Sequence, residues 1–443
     1  MKKVLSRFLI FVLLILCGLL LVAGTIFILK HMDEIPEIKD SAKGIEIFPS
    51  RKTTVSDYSR IDNESLSSYN SQDGSLCKKG YNALTDNNER YLYEKLGECV
   101  YRVSDEVDER GRYKTEMVEV TGAELETRSI NTTINAFLYD NPQIFWVDNY
   151  FGYYTENNTT YVECYSTLSG NQCELYIKKL NDRIEEFLSV ISEDDGKYER
   201  EMKLHDKLLQ ECSYNREVQS LEDGWQYFSA YGALVEGEAV CEGYSKAMMI
   251  LLNLSGVEAT TIRGVGENER HMWNLVELGG SWYHLDCTWD DGDDGYMHDF
   301  FNMTDTMISR DHVTDPLLSD STYTDDFSYN FFVPECSSID MNYFNIEGLI
   351  VTEITLETEE QIANLIYNKA SAGENNISFM VDGDLSYDEF TSYLLDNSAY
   401  KFMVLAERAN DYLDDAHKLK TNTCKTYKSE SRQTLRIEMY FEQ

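Results

Sequence analysis

This chain is short of positive charge. Its 39 Lys and Arg face 78 Asp and Glu, for a formal net charge of −39. Such a surface repels phosphate backbones and anionic headgroups, which argues against nucleic acid as a partner. High solubility is the ordinary consequence, with some electrostatic pull on a cationic substrate. Histidine is scarce as well: seven residues, scattered along the chain, with no CxxC pair and no zinc-ligand spacing. A structural metal, a metal-dependent hydrolase and a bound cofactor are therefore not expected. The acidic run Asp290-Asp291-Gly292 is not an EF-hand. Counted from Asp290 or Asp291, the twelfth position holds Phe301 or Asn302 where that loop needs Glu. It reads as a solvated loop. There is no internal repeat and no low-complexity tract.

Long apolar runs are also missing, with one exception. Lys2, Lys3 and Arg7 precede an uncharged stretch from Phe8 to Leu29, long enough for a membrane helix, which needs ~20 residues. Asp33, Glu34 and Glu37 follow it. The charge bias puts the N-terminus in the cytoplasm and the remainder outside, anchored in the bilayer by residues 8–29. A cleaved signal peptide, giving a secreted form, is the alternative, but the run exceeds a usual signal core. Cys17 lies inside the run. If one of the other cysteines is a nucleophile, an even number remains, which permits disulfides in an oxidising compartment. Cys164 and Cys173 are close enough in sequence to close a local loop.

At 443 residues the chain is long enough for two or three domains. Residues 1–30 read as n-region and anchor, and 31–75 as a polar tether. Residues 76–170 form a small α+β domain, 171–335 the central domain and 336–443 a second small α+β domain. In the first, Asp86 with Glu89 marks a helix start. A helix over 127–138 and strands over 144–147, 150–154 and 160–165 follow. Helices are expected from about Cys173 to Glu211, with His205 packed inside one. The last domain offers strands at 348–356, 377–381 and 435–441 and helices at 359–370 and 387–395.

Chemistry is concentrated between Tyr231 and Asp290. A glycine-punctuated loop runs into a helix starting about Cys241, with Tyr244, Ala247, Met248, Leu251 and Leu254 as its buried stripe and Gly256 closing it. A Cys at a helix start meets free amides and the positive end of the dipole. Both favour a thiolate, and the amides can receive an oxyanion. A strand over 259–263, a polar turn over 264–270 and two alternating runs around Gly279-Gly280 follow. If those glycines are the two-residue turn, Leu278 pairs with Ser281 and Trp273 with Asp286. His271 then lies diagonal to Asp286 on one face, at a separation side chains can bridge. Asp286 can orient His271 as the base of a nucleophilic cysteine. Trp273, Trp289 and Tyr244 are candidate cleft-lining residues.

The block resembles the transglutaminase-like superfamily as it occurs in many bacterial exported proteins. The resemblance rests on Gly237-Glu238-Ala239-Val240-Cys241-Glu242-Gly243-Tyr244, His271-Met272-Trp273-Asn274 and Trp282-Tyr283-His284-Leu285-Asp286-Cys287-Thr288-Trp289-Asp290. It extends from about Lys203 to His312, a quarter of the chain. Met272 and Cys287 depart from the usual pattern without removing a catalytic atom. The resemblance implies an α+β, papain-like core with an antiparallel sheet and an N-terminal nucleophile helix. It also implies Cys241 as nucleophile, His271 as base and acid, and Asp286 as orienting group. The implied activity is cysteine-dependent acyl transfer on peptide or protein amides, by hydrolysis or transamidation, at the cell envelope. A catalytically silent scaffold or protein-binding module on the same fold is the alternative.

Overall fold

A computed structural model describes residues 58–61 and 76–442, except 109–110, 219, 221–223, 293–294, 320–328 and 397–399. The anchor at 8–29 and most of the tether lie outside the described residues. Among the described residues no helix is long and apolar enough to cross a membrane. One part of the expected tether is structured: β1 (Tyr58–Arg60) pairs antiparallel with β2 (Arg102–Ser104). The Ile61 N–H bonds the Tyr101 carbonyl, and Ile61 is buried. A three-residue strand is too short to leave a periodic signature.

The chain is a mixed α+β protein. Its first part holds α1 (Lys79–Ala83), α2 (Asn87–Cys99) and α3 (Thr127–Asp140). Asp86 caps α2 by accepting from the Asn88 and Glu89 amides, as its sequence position predicts. These helices accompany a sheet built on β6 (Thr159–Ser166). One edge of β6 carries β3 (Tyr113–Lys114) and β4 (Val118–Thr121), and the other carries β5 (Val147–Glu156). The expected strand at 144–147 begins only at Val147.

The helical stretch resolves into α4 (Gly170–Leu188) and α5 (Lys197–Glu211). Two short strands, β7 (Ser213–Tyr214) and β8 (Glu238–Ala239), pair in parallel just before α6 (Cys241–Leu254). Nearly the whole circumference of α6 is buried, from Gly243 to Leu252, the mark of a central core helix. Each fully buried Met or Leu there contributes roughly 1.5–3 kcal/mol. The helix ends in a Schellman motif: the Gly256 N–H bonds the Asn253 carbonyl, and the Val257 N–H bonds Leu252. Gly256 supplies the required positive φ of 85°.

Against α6 lies the sheet β11-β10-β9-β12, antiparallel throughout. Its strands are β9 (Ala259–Gly266), β10 (Glu269–Leu278), β11 (Ser281–Leu285) and β12 (His312–Thr314). The β10–β11 register is Leu278 to Ser281, with Gly279 and Gly280 both at positive φ, a two-residue hairpin of the kind that matches strand twist. The turn expected over 264–270 is tighter than that. Glu267 and Asn268 form a second two-residue turn at positive φ, so His271 is the third residue of β10. Short helices α7 (Cys287–Asp290) and α8 (Asp305–Ile308) lead to β12.

The last part holds α9 (Tyr343–Ile346), β13 (Leu349–Val351), α10 (Leu356–Ser371), β14 (Asn376–Val381), α11 (Tyr387–Thr391), α12 (Lys401–Asn410), β15 (Lys425–Ser429) and β16 (Thr434–Glu438). The sheet order is β13-β14-β16-β15. Leu435, Ile437 and Met439 face the core, as their alternation requires. All nine cysteines of the described part are free thiols. The loop expected to close between Cys164 and Cys173 does not form a disulfide. Cys173 Sγ instead contacts Ser166 Oγ and the Leu168 carbonyl.

Candidate active site

Cys241 is the first residue of α6 and is partly exposed. Val240, the preceding cap position, offers no side-chain acceptor. The first amides of the helix are thus left without a side-chain cap. The helix is tied to the His271 strand by polar contacts. Ser245 Oγ lies 2.8 Å from the carbonyls of both Cys241 and Met272. Asn274 Nδ2 donates to the Ser245 carbonyl at 2.9 Å and to Thr260 at 3.3 Å. These bonds fix the height of Cys241 relative to β10.

His271 has a side chain only 7% exposed. Its Nε2 lies 2.6 Å from Asp286 Oδ2. Cys241 is close enough to act on the ring electrostatically. Burial alone would depress its pKa, but the Asp286 charge and hydrogen bond, helped by Cys241, raise it to about 10. The pair ladder of β10–β11 stops at Asn274–Leu285, one step before Trp273–Asp286. Asp286 leaves the strand to cap α7. Its Oδ1 accepts from the Thr288 and Trp289 amides at 3.0 and 3.3 Å, and its Oδ2 faces the imidazole. Burial opposes ionisation of Asp286, yet His271 and a second histidine hold it well below the usual carboxylate range.

That second histidine, His312, carries no recognisable motif in the sequence. It lies on β12, an edge strand, with Nε2 3.1 Å from Asp286 Oδ2 and Nδ1 2.6 Å from Asp311 Oδ1. No spacing rule links it to Asp286; only the pairing of β12 with β9 brings it in. Tyr214, on β7, is a further neighbour. Its ring is 38% exposed. Partial burial and then the Cys241 charge push its hydroxyl up to about 12.

The three aromatic candidates divide. Trp289 is partly buried and packs beside His271, with ring centroids 5.5 Å apart. Trp273 and Tyr244 are fully buried and line no open cleft. Trp273 Nε1 donates to His284 Nδ1 at 2.9 Å, and Tyr244 donates its hydroxyl to Asp291 at 2.6 Å. Both are core residues, and each has a polar partner for its tip.

The histidines cluster in space although not in sequence. His205 is buried as expected, held by Asp206 at 3.0 Å and Asp290 at 3.3 Å, and His298 meets Asp206 at 2.8 Å. Asp290 is therefore no solvated acid. It is fully buried and also accepts from the Phe300 amide. Among the described residues, three trios have donor types suited to a metal: His205, Asp206 and His298; His271, Asp286 and His312; His284, Asp305 and Cys336. In the His271 trio, however, the nitrogen–oxygen pairs are spent as direct hydrogen bonds.

Residues 187–287 match the family model described as the transglutaminase-like superfamily. Two of the solved structures this chain resembles follow. One is described as a TGase: 12% identity, 48% of this chain, 60% of that chain, TM-score 0.26. The other is a candidate cysteine protease from Cytophaga hutchinsonii: 11% identity, 42% of this chain, 70% of that chain, TM-score 0.21. The chain thus spans less than two thirds of the TGase it matches. No curated protein matches.

Proposed function

We infer that this chain, which carries a transglutaminase-like superfamily domain, performs cysteine-dependent acyl transfer on peptide or protein amides, with Cys241 as nucleophile, His271 as acid and base, and Asp286 as orienting group. The observation that carries this reading is the His271 ring, bonded at Nε2 to a buried carboxylate and close enough to a helix-opening cysteine for that cysteine to raise its pKa. A lone structural histidine has no need of both.

The steps follow from that arrangement. The Cys241 thiolate attacks an amide carbonyl, and the negative oxygen that develops meets the first amides of α6. The His271 imidazolium gives its proton to the departing nitrogen as the C–N bond breaks, leaving a thioester and an amine. Water or a second amine then attacks the thioester, His271 takes its proton, and the thiolate is released. Asp286 keeps the ring in the right tautomer and stabilises its charge throughout. Water as the second nucleophile gives hydrolysis; an amine gives transamidation.

The apolar run at 8–29 supports a location outside a membrane, anchored at the N-terminus. The test of the nucleophile is labelling with a thiol-reactive probe near neutral pH, with Cys241→Ala and His271→Ala as controls. Labelling should concentrate on Cys241 and fall in the His271 variant. Reactivity at Cys241 no greater than at buried Cys77 or half-buried Cys424 would leave a silent scaffold as the better reading.

A further inference from the structure

Two imidazoles converge on one carboxylate oxygen, and the steps above use only one of them. His271 and His312 place their Nε2 atoms 2.6 and 3.1 Å from Asp286 Oδ2. His312 has a second fixed partner, because its Nδ1 lies 2.6 Å from Asp311 Oδ1. An ionised carboxylate only accepts, so both nitrogens of His312 donate, and a ring that donates from both nitrogens is an imidazolium. His284, on the opposite edge strand of the same sheet, shows the opposite case. Its Nδ1 accepts from Trp273 Nε1, so its Nε2 carries the single proton and donates to Asp305 at 2.9 Å.

The surroundings of His312 suit a cation. The Trp289 ring lies with its centroid 4.2 Å away and Trp273 at 4.9 Å, close enough for cation–π attraction. Phe300 closes another side at 5.6 Å. The charged and titratable groups facing His312 are Asp286 at the start of α7, Asp311 beside it, His271 from β10, and His284 beyond Trp273. Burial pulls its pKa down, the hydrogen bonds of Asp286 and Asp311 pull it up and prevail, and His271 pushes it the other way. Asp286 is felt in turn by Tyr214 and Cys287.

We propose that His312 is a positioning residue that acts as a held cation: it shares the charge of Asp286 with His271 and repels the His271 imidazolium, so that His271 releases its proton to a leaving amine more readily than it would beside an undivided carboxylate. This rests on the reading of Cys241 and His271 as a nucleophile–acid pair. It explains why a second buried histidine stands on the orienting carboxylate. Asp286 alone would bind the proton of His271 too firmly for a group that must both give and take it near neutral pH.

The experiment is the pH profile of Cys241 modification by iodoacetamide in the full-length chain. The alkaline limb of that profile follows loss of the His271 proton. The two rings are 5.2 Å apart. Like charges that close are worth on the order of two pH units at an effective dielectric constant of ~20. His312→Gln keeps a donor toward Asp286 and removes the charge. It should move the alkaline limb upward by about one to two pH units. Asp311→Asn loosens the proton on His312 from a half-buried site and should move the limb the same way by less. That variant decides the matter if His312→Gln does not fold. A limb that stays in place, or moves down, in a folded variant overturns the proposal. So does a wild-type profile that shifts on treatment with a chelator, which would assign the trio to a metal. A wild-type Cys241 with no enhanced reactivity, unaffected by His271→Ala, refutes the nucleophile reading itself and takes this inference with it.

Discussion

Replacing Asp286 by Asn keeps the shape of the side chain and changes one atom from acceptor to donor. The carboxylate now serves four donors: two amides on Oδ1 and two imidazoles on Oδ2. An amide can satisfy only one of those pairs. If its oxygen stays on the Thr288 and Trp289 amides, its NH2 group faces two ring N–H groups. His271 must then turn to the other tautomer, and its Nδ1 becomes a donor instead of a base. The His271 pKa, raised from 6.5 to about 10, represents ~5 kcal/mol of preference for the imidazolium, of which Asp286 supplies more than Cys241. Losing ~3 kcal/mol of it means about a hundredfold fewer thiolate–imidazolium pairs. Carbamidomethylation of Cys241 at neutral pH, followed by peptide mass spectrometry, should slow by about that factor. The unfolding free energy should also fall by ~3 kcal/mol, because breaking a buried ion pair strands its partner. A folded Asp286→Asn protein that reacts at the wild-type rate would refute the argument.

Gly266→Ala should destabilise the chain by ~1–3 kcal/mol in urea titration, because its Cβ would lie 2.8 Å from Trp289 and 3.4 Å from the His271 ring; an unchanged midpoint would contradict that packing. His205, buried but raised to about 9 by Asp206 and Asp290, holds its proton more tightly folded than unfolded. Its contribution is complete below pH ~6.5 and lost as pH rises through about 9, up to ~3 kcal/mol. Buried Glu201, raised to about 8, acts in the same direction over a lower range, so the urea midpoint should fall from neutral to alkaline pH, and a rise would be inconsistent with both. All nine cysteines of the described part should alkylate in urea without reductant, and a protected pair would reveal a disulfide.

The placement of the candidate site residues was legible where local geometry carries the information. Cys241 at a helix start follows from the glycine-rich loop and the apolar stripe behind it. The approach of His271 and Asp286 follows from hairpin parity, which the left-handed Gly279 and Gly280 satisfy. His312 was not legible, because a short edge strand has no periodicity and its partner lies on a different element. Asp290 misled for a related reason. An acidic run is normally exposed, and only the fold puts His205 against it. Helix α12 and strand β15 also escaped. Phe402, Leu405, Ala406 and Ala409 mark one helical face, but over too few turns to stand out from loop. Trp273 and Tyr244 were taken for cleft walls because their polar partners, His284 and Asp291, are remote in sequence.

Asp286 ends a strand, begins a helix and steadies an imidazole with the same two oxygens. Fold and the proposed chemistry therefore place a joint claim on it, whereas Cys241 is claimed by the proposed chemistry alone. A descendant of this chain that abandoned turnover but kept its shape would shed the cysteine first and inherit the aspartate. Across relatives, then, a retained Asp286 would testify to folding, and only Cys241 together with His271 would testify to a working site.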